Sequence, residues 1–537
     1  MTAPMRGHFC LILHAHLPFV RHPEHDDFLE EGWLYEAVAE CYLPLISVLE
    51  GLRADEIPVR IALTLTPTLG SMLRDPLLRS RCVRWLDRLV DLAAREVRRN
   101  RADPALQALA KFHFDRFERA RSDFQNRFLG DLVGAFRRFQ DEGALEILAS
   151  AATHAYLPLW QTRSEAVRAQ VSLGIQQYRG VFGRDPKGFW LPECGYFPGV
   201  EEFLRKEGIR YFVVDSGAIL DAEPSPRYGV FAPLATSNRV AAFGRDPQTS
   251  IQVWSAEEGF PGHPDYREFY RDIGFDLPPE QVSTFVLPTG IRRATGIKYH
   301  RVTGGAGEKA PYDRGVAVAQ AQAHAREFVA SRTDQFRRLS ALMGPRRPVV
   351  VAPFDAELFG HWWFEGPEFL DAVIRESAGS DAFELATPTD HLESAPVLQE
   401  AALSLSSWGE GGYSAVWLDR ANAWMYPRLF SATRQLADFV GRNGTELNAT
   451  RQRALRQAAR ELLLAQSSDW AFMLKAGTTA AYAQRRVSEH LANFSKLQSG
   501  LASGRIDGGA LERMESRNNL FPALDPGLFA ADAHKAG

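Results

Sequence analysis

The chain has 537 residues, of which 45% are hydrophobic and 24% are charged, and its formal net charge is −4. These proportions are typical of a globular protein with a large core, and they exclude disorder as its main state. The slightly acidic balance offers no basic surface to phosphate backbones, so we expect no nucleic-acid partner.

The cysteine content and the apolar segments indicate the cellular compartment in which the protein is expected. Four scattered cysteines are too few for a disulfide framework or a zinc cluster. The apolar run near the amino terminus, FCLIL, is shorter than a signal-peptide core, and no segment reaches the roughly 18 apolar residues of a membrane span. We therefore expect a cytoplasmic protein without membrane contact, present as a monomer or a small homo-oligomer.

Short apolar runs recur along the chain and predict the strands of a parallel sheet, because such runs bounded by turns are typical of strands buried on both faces. They cover residues 8–16, 59–68, 145–154, 188–193, 209–216, 250–257 and 348–357, with weaker candidates at 284–290 and 383–390. Helical patterns lie between several of them. The alternation predicts an α/β fold, either a (β/α) barrel or a related wound sheet.

Two stretches depart from this alternation. Residues 75–142 are highly charged and helical in pattern, which predicts a helical insertion, and strand signals vanish beyond about residue 413. We assign residues 1–74 and 143–404 to the catalytic barrel and residues 405–537 to a C-terminal helical domain. Two long loops, at 217–249 and 258–313, are typical of lids, and Tyr228 and Phe243 are the residues of the first that we expect to cover a site.

Ionisable and aromatic side chains stand where the predicted strands end, which is where barrel enzymes carry their reactive groups. The set comprises His14, His16, Thr66, His154, Glu193, Asp215, Trp254, Glu257 and Asp355. Among these, Glu193 and Asp355 each follow an apolar strand, and Asp355 is followed by an aromatic wall on which sugar rings could stack. Paired carboxylates in such a setting are typical of glycoside chemistry, although either could instead cap a helix.

The two histidines at positions 14 and 16 admit a second interpretation. Strand alternation places them on one face, where with His154 and an aspartate they could bind zinc, or could equally hydrogen-bond sugar hydroxyls. Residues 405–427 form an aromatic and glycine-rich segment, in which Trp408 and Trp417 are candidates for a carbohydrate platform. Asp469 is a candidate to reach the same cleft.

Five motifs together resemble the ordered regions of glycoside hydrolase family 57, and in particular its α-1,4-glucan branching enzymes. They are HAHLPF (14–19), LASAATHAYLPL (148–159), GFWLPECGYFPG (188–199), APFDAELFGHWWFEGP (352–367) and SSWGEGGYSAVWLD (406–419). The resemblance implies a (β/α)7 barrel with a helical insertion and a C-terminal helical domain, and retaining catalysis without a cofactor or metal.

The same resemblance implies roles for single residues. Glu193 would be the nucleophile and Asp355 the general acid and base. The substrate would be an α-1,4-glucan such as amylose or a glycogen-like polymer. Residues implied to bind it are His14, His16, His154, Trp33, Trp362, Trp408, Trp417 and Asp469, with Tyr270 as a candidate for a further stacking position.

The resulting hypothesis is a branching enzyme that cleaves α-1,4 links and rejoins the chain through α-1,6 links by double displacement. A lid over the site would favour this transfer by excluding water. The alternatives are 4-α-glucanotransferase or α-amylase activity on the same scaffold, a zinc hydrolase, and a glucan-binding protein without catalysis.

Overall fold

A barrel of parallel strands lies at the centre of the computed structural model, which describes residues 6–255, 258–304, 308–394, 397–443 and 447–530. The strands are β1 Gly7–Ala15, β2 Ile61–Leu65, β3 Leu145–Ser150, β4 Gly188–Trp190, β5 Tyr211–Val214, β6 Leu234–Ala235, β7 Ala241–Gly244, β8 Val349–Asp355, β9 Phe383–Leu385 and β10 Gln399–Glu400. Seven of them run parallel in the order β8-β1-β2-β3-β4-β5-β7.

The ends of this row approach each other, because the Asp246 N–H after β7 donates to the Val351 carbonyl of β8 at 2.8 Å. The predicted (β/α)7 barrel is confirmed. β9 pairs with the beginning of β1, while β6 and β10 add a short extension beside β7. The register places His14 opposite both Thr64 of β2 and Asp355 of β8, so these residues share one level of the barrel.

The helices that surround and extend the barrel are numbered in chain order. They are α1 Gly32–Ala37, α2 Leu43–Ala54, α3 Pro67–Arg74, α4 Pro76–Arg99, α5 Pro104–Ser122, α6 Leu132–Asp141, α7 Ser164–Phe182, α8 Val200–Lys206, α9 Ser216–Leu220, α10 Pro247–Trp254, α11 Ile273–Asp276, α12 Arg314–Met343, α13 Gly366–Ala378, α14 Pro388–Ser394, α15 Tyr426–Asn443, α16 Ala449–Ala465, α17 Ser468–Ala476, α18 Ala480–Ser503 and α19 Gly508–Arg517. None of these helices, within the described ranges, has the length and apolar character that crossing a bilayer requires.

Helices occupy both regions for which the sequence predicts them. α4, α5 and α6 lie within residues 75–142, and α15 to α19 follow the last strand. The segment between α1 and α2, Val38–Tyr42, is a π-helical turn.

Two predicted strands are wrong. Residues 250–254 belong to α10, which begins after Asp246, whose carboxylate accepts the Thr249 N–H at 2.8 Å, with a proline as the first helical residue. Those are helix-start signals that outweigh the apolar run. Trp254 therefore ends a helix rather than a strand, and Glu257 lies outside the described residues. Residues 284–290 contain the end of a short 3-10 turn, Ser283–Phe285, and a single bridge between Val286 and Arg292 in place of a strand.

Strand alternation divides the barrel's side chains between two cores. On β1, Cys10 and Ile12 point into the barrel, together with Trp190 of β4 and Phe243 of β7, whereas Phe9 and its alternates pack against the helices. At the carboxyl ends of the strands, the side chains that point into the barrel are polar. The apolar interior is therefore bordered at this end by a layer of polar side chains.

The predicted lid at 217–249 is wrong, because this segment contains α9, β6 and β7. Phe243 is 0% exposed inside the barrel, where its ring contacts Tyr211 and His391. Tyr228 lies 5.6 Å from the guanidinium of Arg346, which precedes β8. That contact is at the amino end of β8, whereas Asp355 is at its carboxyl end, about 20 Å along a strand of this length.

Gly174 and Gly180, both on α7, test how closely this helix packs on the barrel. A Cβ at Gly174 would lie 2.0 Å from the Ser150 carbonyl, whereas one at Gly180 would meet nothing within 4 Å. We expect Gly174→Ala to lower the free energy of unfolding by about 1–3 kcal/mol through overpacking. Gly180→Ala should raise it by up to about 1 kcal/mol, because alanine favours helix. Denaturant unfolding measures both; equal effects would contradict this packing.

Candidate active site

Glu193 occupies a strained turn directly beyond β4. The chain leaves the strand through Leu191 and Pro192, and Glu193 and Cys194 follow with φ angles of 62° and 49°. Left-handed conformations are unfavourable for residues other than glycine and cluster at functional sites. His154, beyond β3, also has a positive φ, of 57°. The backbone beyond both strands, β3 and β4, therefore adopts a left-handed conformation that sets the direction of the His154 and Glu193 side chains.

The Glu193 carboxylate is held by donors from two distant segments. Its Oε2 accepts the indole N–H of Trp408 at 2.8 Å, and its Oε1 accepts the Ser468 hydroxyl at 2.9 Å. Burial raises the pKa of Glu193 above its ordinary value, while both hydrogen bonds oppose that rise because they stabilise the charged form. The carboxylate is thus oriented and partly protected from protonation.

Asp355 ends β8 on the side of the sheet where His14 ends β1. Burial raises its pKa well above the ordinary value, and the negative charges of Glu357 and Glu193 raise it further. Among the described residues, no cation within 4 Å forms a salt bridge with Asp355. Asp355 is level with His14, which lies 3.0 Å from His154, and His154 lies 3.9 Å from Glu193, so the two carboxyl groups border one crevice, with protonation favoured at Asp355.

Glu357 is a third carboxyl group of this crevice. Its Oε1 accepts the Tyr42 hydroxyl at 2.6 Å and the His16 backbone N–H at 3.1 Å. Burial raises its pKa to about 7 in spite of these bonds. Sequence reasoning missed Glu357, although it lies only two residues after Asp355 in the DAELFG string and therefore also lies at the carboxyl end of β8.

Three histidines and Asp469 form a stacked, hydrogen-bonded cluster beside Glu193. His14 Nε2 lies 3.0 Å from His154 Nε2, and the rings of His16 and His154 stack at 3.7 Å. Asp469 accepts from His16 Nε2 at 3.1 Å, and Ser468 Oγ lies 2.9 Å from His154 Nδ1. The three histidines and Asp469 thus lie together, as the sequence predicts.

Charge in this cluster is concentrated on one imidazole. Burial lowers the pKa of His16, but the hydrogen bond to Asp469 and the negative charges of Asp469, Glu193 and Glu357 together raise it by more, so the net shift is upward. Burial lowers the pKa values of His14 and His154 well below 6.5, and the charge of His16 lowers them further. His16 and Asp469 therefore form an ion pair against two neutral imidazoles.

A metal ion could be held by His16, His154 and Asp469, whose ligand atoms lie within 4.8 Å of one another. In the structure every ring nitrogen of the two histidines already has a partner. Thr66 Oγ1 lies 3.0 Å from His16 Nδ1, and the remaining nitrogens contact Asp469, His14 and Ser468. Metal binding would displace the contact between His16 and Asp469, so the donor set suits hydrogen bonding better than tetrahedral coordination.

Trp408 and Trp417 differ in their positions. Trp408 packs edge-on against Trp190 at 5.2 Å and donates to Glu193, so it borders the crevice. Trp417 is 1% exposed and stacks on Tyr156 at 4.3 Å. The prediction that Trp417 forms a sugar platform is wrong, because neither face of its ring is free. It instead supports the Gly409 turn that carries Trp408.

An exposed aromatic group lies beyond Glu357. Trp362 is 56% exposed and stacks on Phe269 at 4.4 Å, and the adjacent Tyr270 is 78% exposed. Trp33 is half-buried against Tyr482 of α18, and Trp254 is 44% exposed at the end of α10. Among the described residues, no hydrogen bond joins these rings to Glu193 or Asp355, since the donors to Glu193 are Trp408 and Ser468.

Asp215 has a structural position. Its carboxylate pairs with Arg245 at 2.9 Å and accepts the Gly217 N–H at the start of α9. Ser468, by contrast, was missed as a site residue, although it precedes Asp469 directly. Its side chain joins Glu193 to His154, a contact over 275 positions of sequence for which no local pattern exists.

Comparisons with known proteins match nearly the whole chain. The family model of glycosyl hydrolase family 57 matches residues 10–403, and the model of the C-terminal domain of 1,4-alpha-glucan branching enzymes matches residues 428–529. A 1,4-alpha-glucan branching enzyme of Thermococcus kodakarensis is 33% identical over 98% of this chain and 79% of its own length.

Solved structures give the same picture. The α-amylase AmyC of Thermotoga maritima is 41% identical, covers 98% of this chain and 100% of its own, and has a TM-score of 0.92. A branching enzyme of Pyrococcus horikoshii is 31% identical, covers 98% and 97%, and has a TM-score of 0.87.

The pair of His16 and Asp469 makes the stability depend on pH. Because the pKa of His16 is raised in the folded state, its stabilisation is present below pH 6.5 and is lost as the pH rises through the folded value. We expect Asp469→Asn to lower the free energy of unfolding more at pH 5.5 than at pH 9, as urea unfolding would measure.

Asp419→Asn is the matched control, since it breaks a pair with Lys475, which does not titrate in this range. An equal loss at both pH values for Asp469→Asn would contradict the pairing.

Proposed function

We propose that this chain, which belongs to glycosyl hydrolase family 57, is a 1,4-α-glucan branching enzyme. The observation that carries the proposal is the pair of carboxyl groups at the ends of β4 and β8, whose surroundings separate their protonation states. The match of residues 428–529 to the C-terminal domain of branching enzymes supports branching as the outcome.

In the first step, Glu193 attacks the anomeric carbon of an α-1,4-linked glucose while Asp355 protonates the departing oxygen. Glu193 suits the nucleophile's role because Trp408 and Ser468 stabilise its charged form. Asp355 suits the acid's role because burial and two neighbouring carboxylates favour its protonated form. A β-glycosyl enzyme results, and the released chain carries the proton.

In the second step, Asp355 acts as a base. It takes the proton of a 6-hydroxyl of an acceptor glucan as that oxygen attacks the anomeric carbon, and the bond to Glu193 breaks with inversion. Two inversions retain the α configuration and create the α-1,6 link. Above the pKa of Glu357, which is about 7, its negative charge raises the pKa of Asp355, so Glu357 acts as a positioning residue that favours the return of the proton to Asp355.

Sugar recognition is assigned to the groups around these carboxylates. His14, His16 and His154 lie beside Glu193, where His14 Nδ1 is the ring nitrogen of this cluster without a partner among the described residues, and Trp408 offers an aromatic edge. The exposed rings of Trp362 and Tyr270, which both contact the half-buried Phe269, suit the apolar faces of a glucan chain further along the surface. We assign Trp33 and Trp254 weaker roles at the periphery, because each packs against or ends a helix.

Hydrolysis is the second candidate function, since the α-amylase AmyC is 41% identical to this chain. Both activities share the glycosyl-enzyme intermediate and differ in whether water or a sugar hydroxyl completes the reaction. Incubation with amylose, followed by proton NMR, would count α-1,6 links against new reducing ends. A product without α-1,6 links would contradict branching. Retained activity after chelation would in turn contradict a zinc hydrolase.

Glu193→Gln tests the nucleophile. The amide keeps an oxygen acceptor but cannot form the glycosyl enzyme, so we expect kcat on amylose to fall roughly 10³-fold or more. Binding of maltoheptaose, measured by calorimetry, should remain. Glu202→Gln, an exposed glutamate on α8, is the matched control and should leave kcat unchanged. An active Glu193→Gln variant would overturn the assignment.

Ser468→Ala tests the support of Glu193. Loss of the hydroxyl donor disfavours the charged carboxylate, so the pKa of Glu193 should rise. Since Glu193 attacks in its ionised form, the acidic limb of the kcat/KM profile should move to higher pH, by about one unit at most. Ser431→Ala, on α15, is the control. A limb that moves to lower pH, or not at all, would contradict this role.

A further inference from the structure

His14, His154 and Ser468 form a line of hydrogen bonds that ends at Glu193. His14 Nε2 lies 3.0 Å from His154 Nε2, and His154 Nδ1 lies 2.9 Å from Ser468 Oγ. Ser468 Oγ in turn lies 2.9 Å from Glu193 Oε1. Both imidazoles are 2% exposed, so nearly all of their surface contacts protein. The two rings therefore reach the carboxylate through the serine hydroxyl.

The order of donors along this line follows from the single proton of the serine hydroxyl. A charged carboxylate can only accept, so Ser468 donates its proton to Glu193. The Ser468 oxygen can then only accept from His154, which places the hydrogen of His154 on Nδ1. Burial and the charge of His16 lower the pKa of His154 well below 6.5. The His154 ring is therefore neutral, and its Nε2 carries no hydrogen.

His14 supplies the hydrogen for the contact between the two rings. Because Nε2 of His154 is bare, the contact at 3.0 Å is a hydrogen bond only if Nε2 of His14 donates. Burial lowers the pKa of His14 well below 6.5, so this ring also carries one hydrogen. A hydrogen on Nδ1 of His14 instead would be buried without an acceptor among the described residues, which is costly.

The other tautomer of His154 would draw the serine proton away from Glu193. With its hydrogen on Nε2, His154 would present a bare Nδ1 to Ser468, and that nitrogen would compete with the carboxylate for the one hydroxyl proton. Donation from His14 disfavours this tautomer, because two N–H groups would then face each other at 3.0 Å. The donor at position 14 thus decides where the Ser468 proton points.

The surrounding structure fixes both rings. The Ser468 backbone N–H donates to the His154 carbonyl at 2.9 Å, and Ala155 and Ser467 form an antiparallel bridge beside this bond. The His14 ring stacks on Trp190 at 4.6 Å, with an angle of 20° between the ring planes. The rings are thus held in place, and the positions of their hydrogens are set by the hydrogen bonds they make.

We propose that His14 and His154 are positioning residues that reserve the Ser468 proton for Glu193. His14 holds His154 in the tautomer with its hydrogen on Nδ1, and His154 in turn holds the Ser468 hydroxyl toward the carboxylate. No proton moves along this line, and every hydrogen stays on its own atom. The benefit to catalysis rests on the proposed function of Glu193 as the nucleophile, whereas the hydrogen positions do not.

Neutron diffraction from a deuterated crystal of the full chain at neutral pH tests the order of donors, because it shows hydrogen positions directly. We expect one deuterium on His14, at Nε2, and one on His154, at Nδ1, with the Ser468 deuterium directed at Glu193. A deuterium on Nε2 of His154 or on Nδ1 of His14 would overturn the proposal. This measurement does not depend on activity, so it stands even if the proposed function fails.

Amide substitutions at position 14 test the effect on Glu193. A glutamine amide can occupy the place of a histidine Nε2, whereas the shorter asparagine does not reach His154. We expect His14→Asn to move the acidic limb of the kcat/KM profile to higher pH, by about one unit at most, as for Ser468→Ala. His14→Gln should leave the limb in place even where kcat falls. His25→Gln, at an exposed histidine, is the matched control.

A double variant separates this role from packing. In Ser468→Ala no serine proton remains to be directed, so adding His14→Asn should move the acidic limb no further. The charge of Asp469 raises the pKa of Glu193 and that of His16 lowers it, and both residues remain in every variant.

A further shift in the double variant, or no shift in His14→Asn alone, would overturn the role of His14. The neutron measurement uses the unaltered chain, so the proposal stays testable if a variant does not fold. Activity of Glu193→Gln would instead overturn the proposed function and leave the order of donors unaffected.

Discussion

The hydrogen bonds to the Glu193 carboxylate are the interaction on which the rest of the site depends. Burial of a carboxylate favours its protonated form, and a protonated glutamate cannot attack carbon. The donors Trp408 and Ser468 oppose that tendency, and each comes from a segment that follows the barrel's main strands. The strained turn at Glu193 holds the acceptor in reach of both. If Glu193 is the nucleophile, as proposed, catalysis depends on the barrel, on the turn after β4 and on the C-terminal helices together.

The two carboxyl groups differ because their partners differ. The charge of Asp469 raises the pKa of Glu193, but two neutral donors and the charge of His16 oppose it, whereas only the charge of Arg245 opposes the two carboxylates that raise the pKa of Asp355. Equal burial would otherwise give both groups the same preference for a proton. The barrel strands place the two carboxyl groups at positions of similar burial, and the segments outside the strands supply the neighbours that make their pKa values differ. On the proposed assignment, the same scaffold therefore holds both an acid and a nucleophile.

Much of the fold and of the site could be predicted from the sequence. Buried parallel strands are continuous apolar runs, and polar groups at their ends converge by topology, so Glu193, Asp355 and the histidines were found together. Phe243 and Trp254 were misplaced because short apolar runs do not distinguish strand from loop or helix. Trp417 was misplaced because sequence does not show which tryptophan is covered. Ser468 could not be found, since its role exists only through a contact across the fold.

The position of Ser468 and Asp469 on α17 has a consequence for how such proteins can be divided. A fragment that stopped at residue 404 would keep both reactive carboxyl groups and every strand of the barrel. It would lack the Trp408 indole, the Ser468 hydroxyl and Asp469, the counter-ion of His16, so Glu193, the proposed nucleophile, would be buried without its hydrogen-bond donors. Exchange of the C-terminal helical domain between members of this family would therefore change the surroundings of Glu193 and His16 as well as the outer surface.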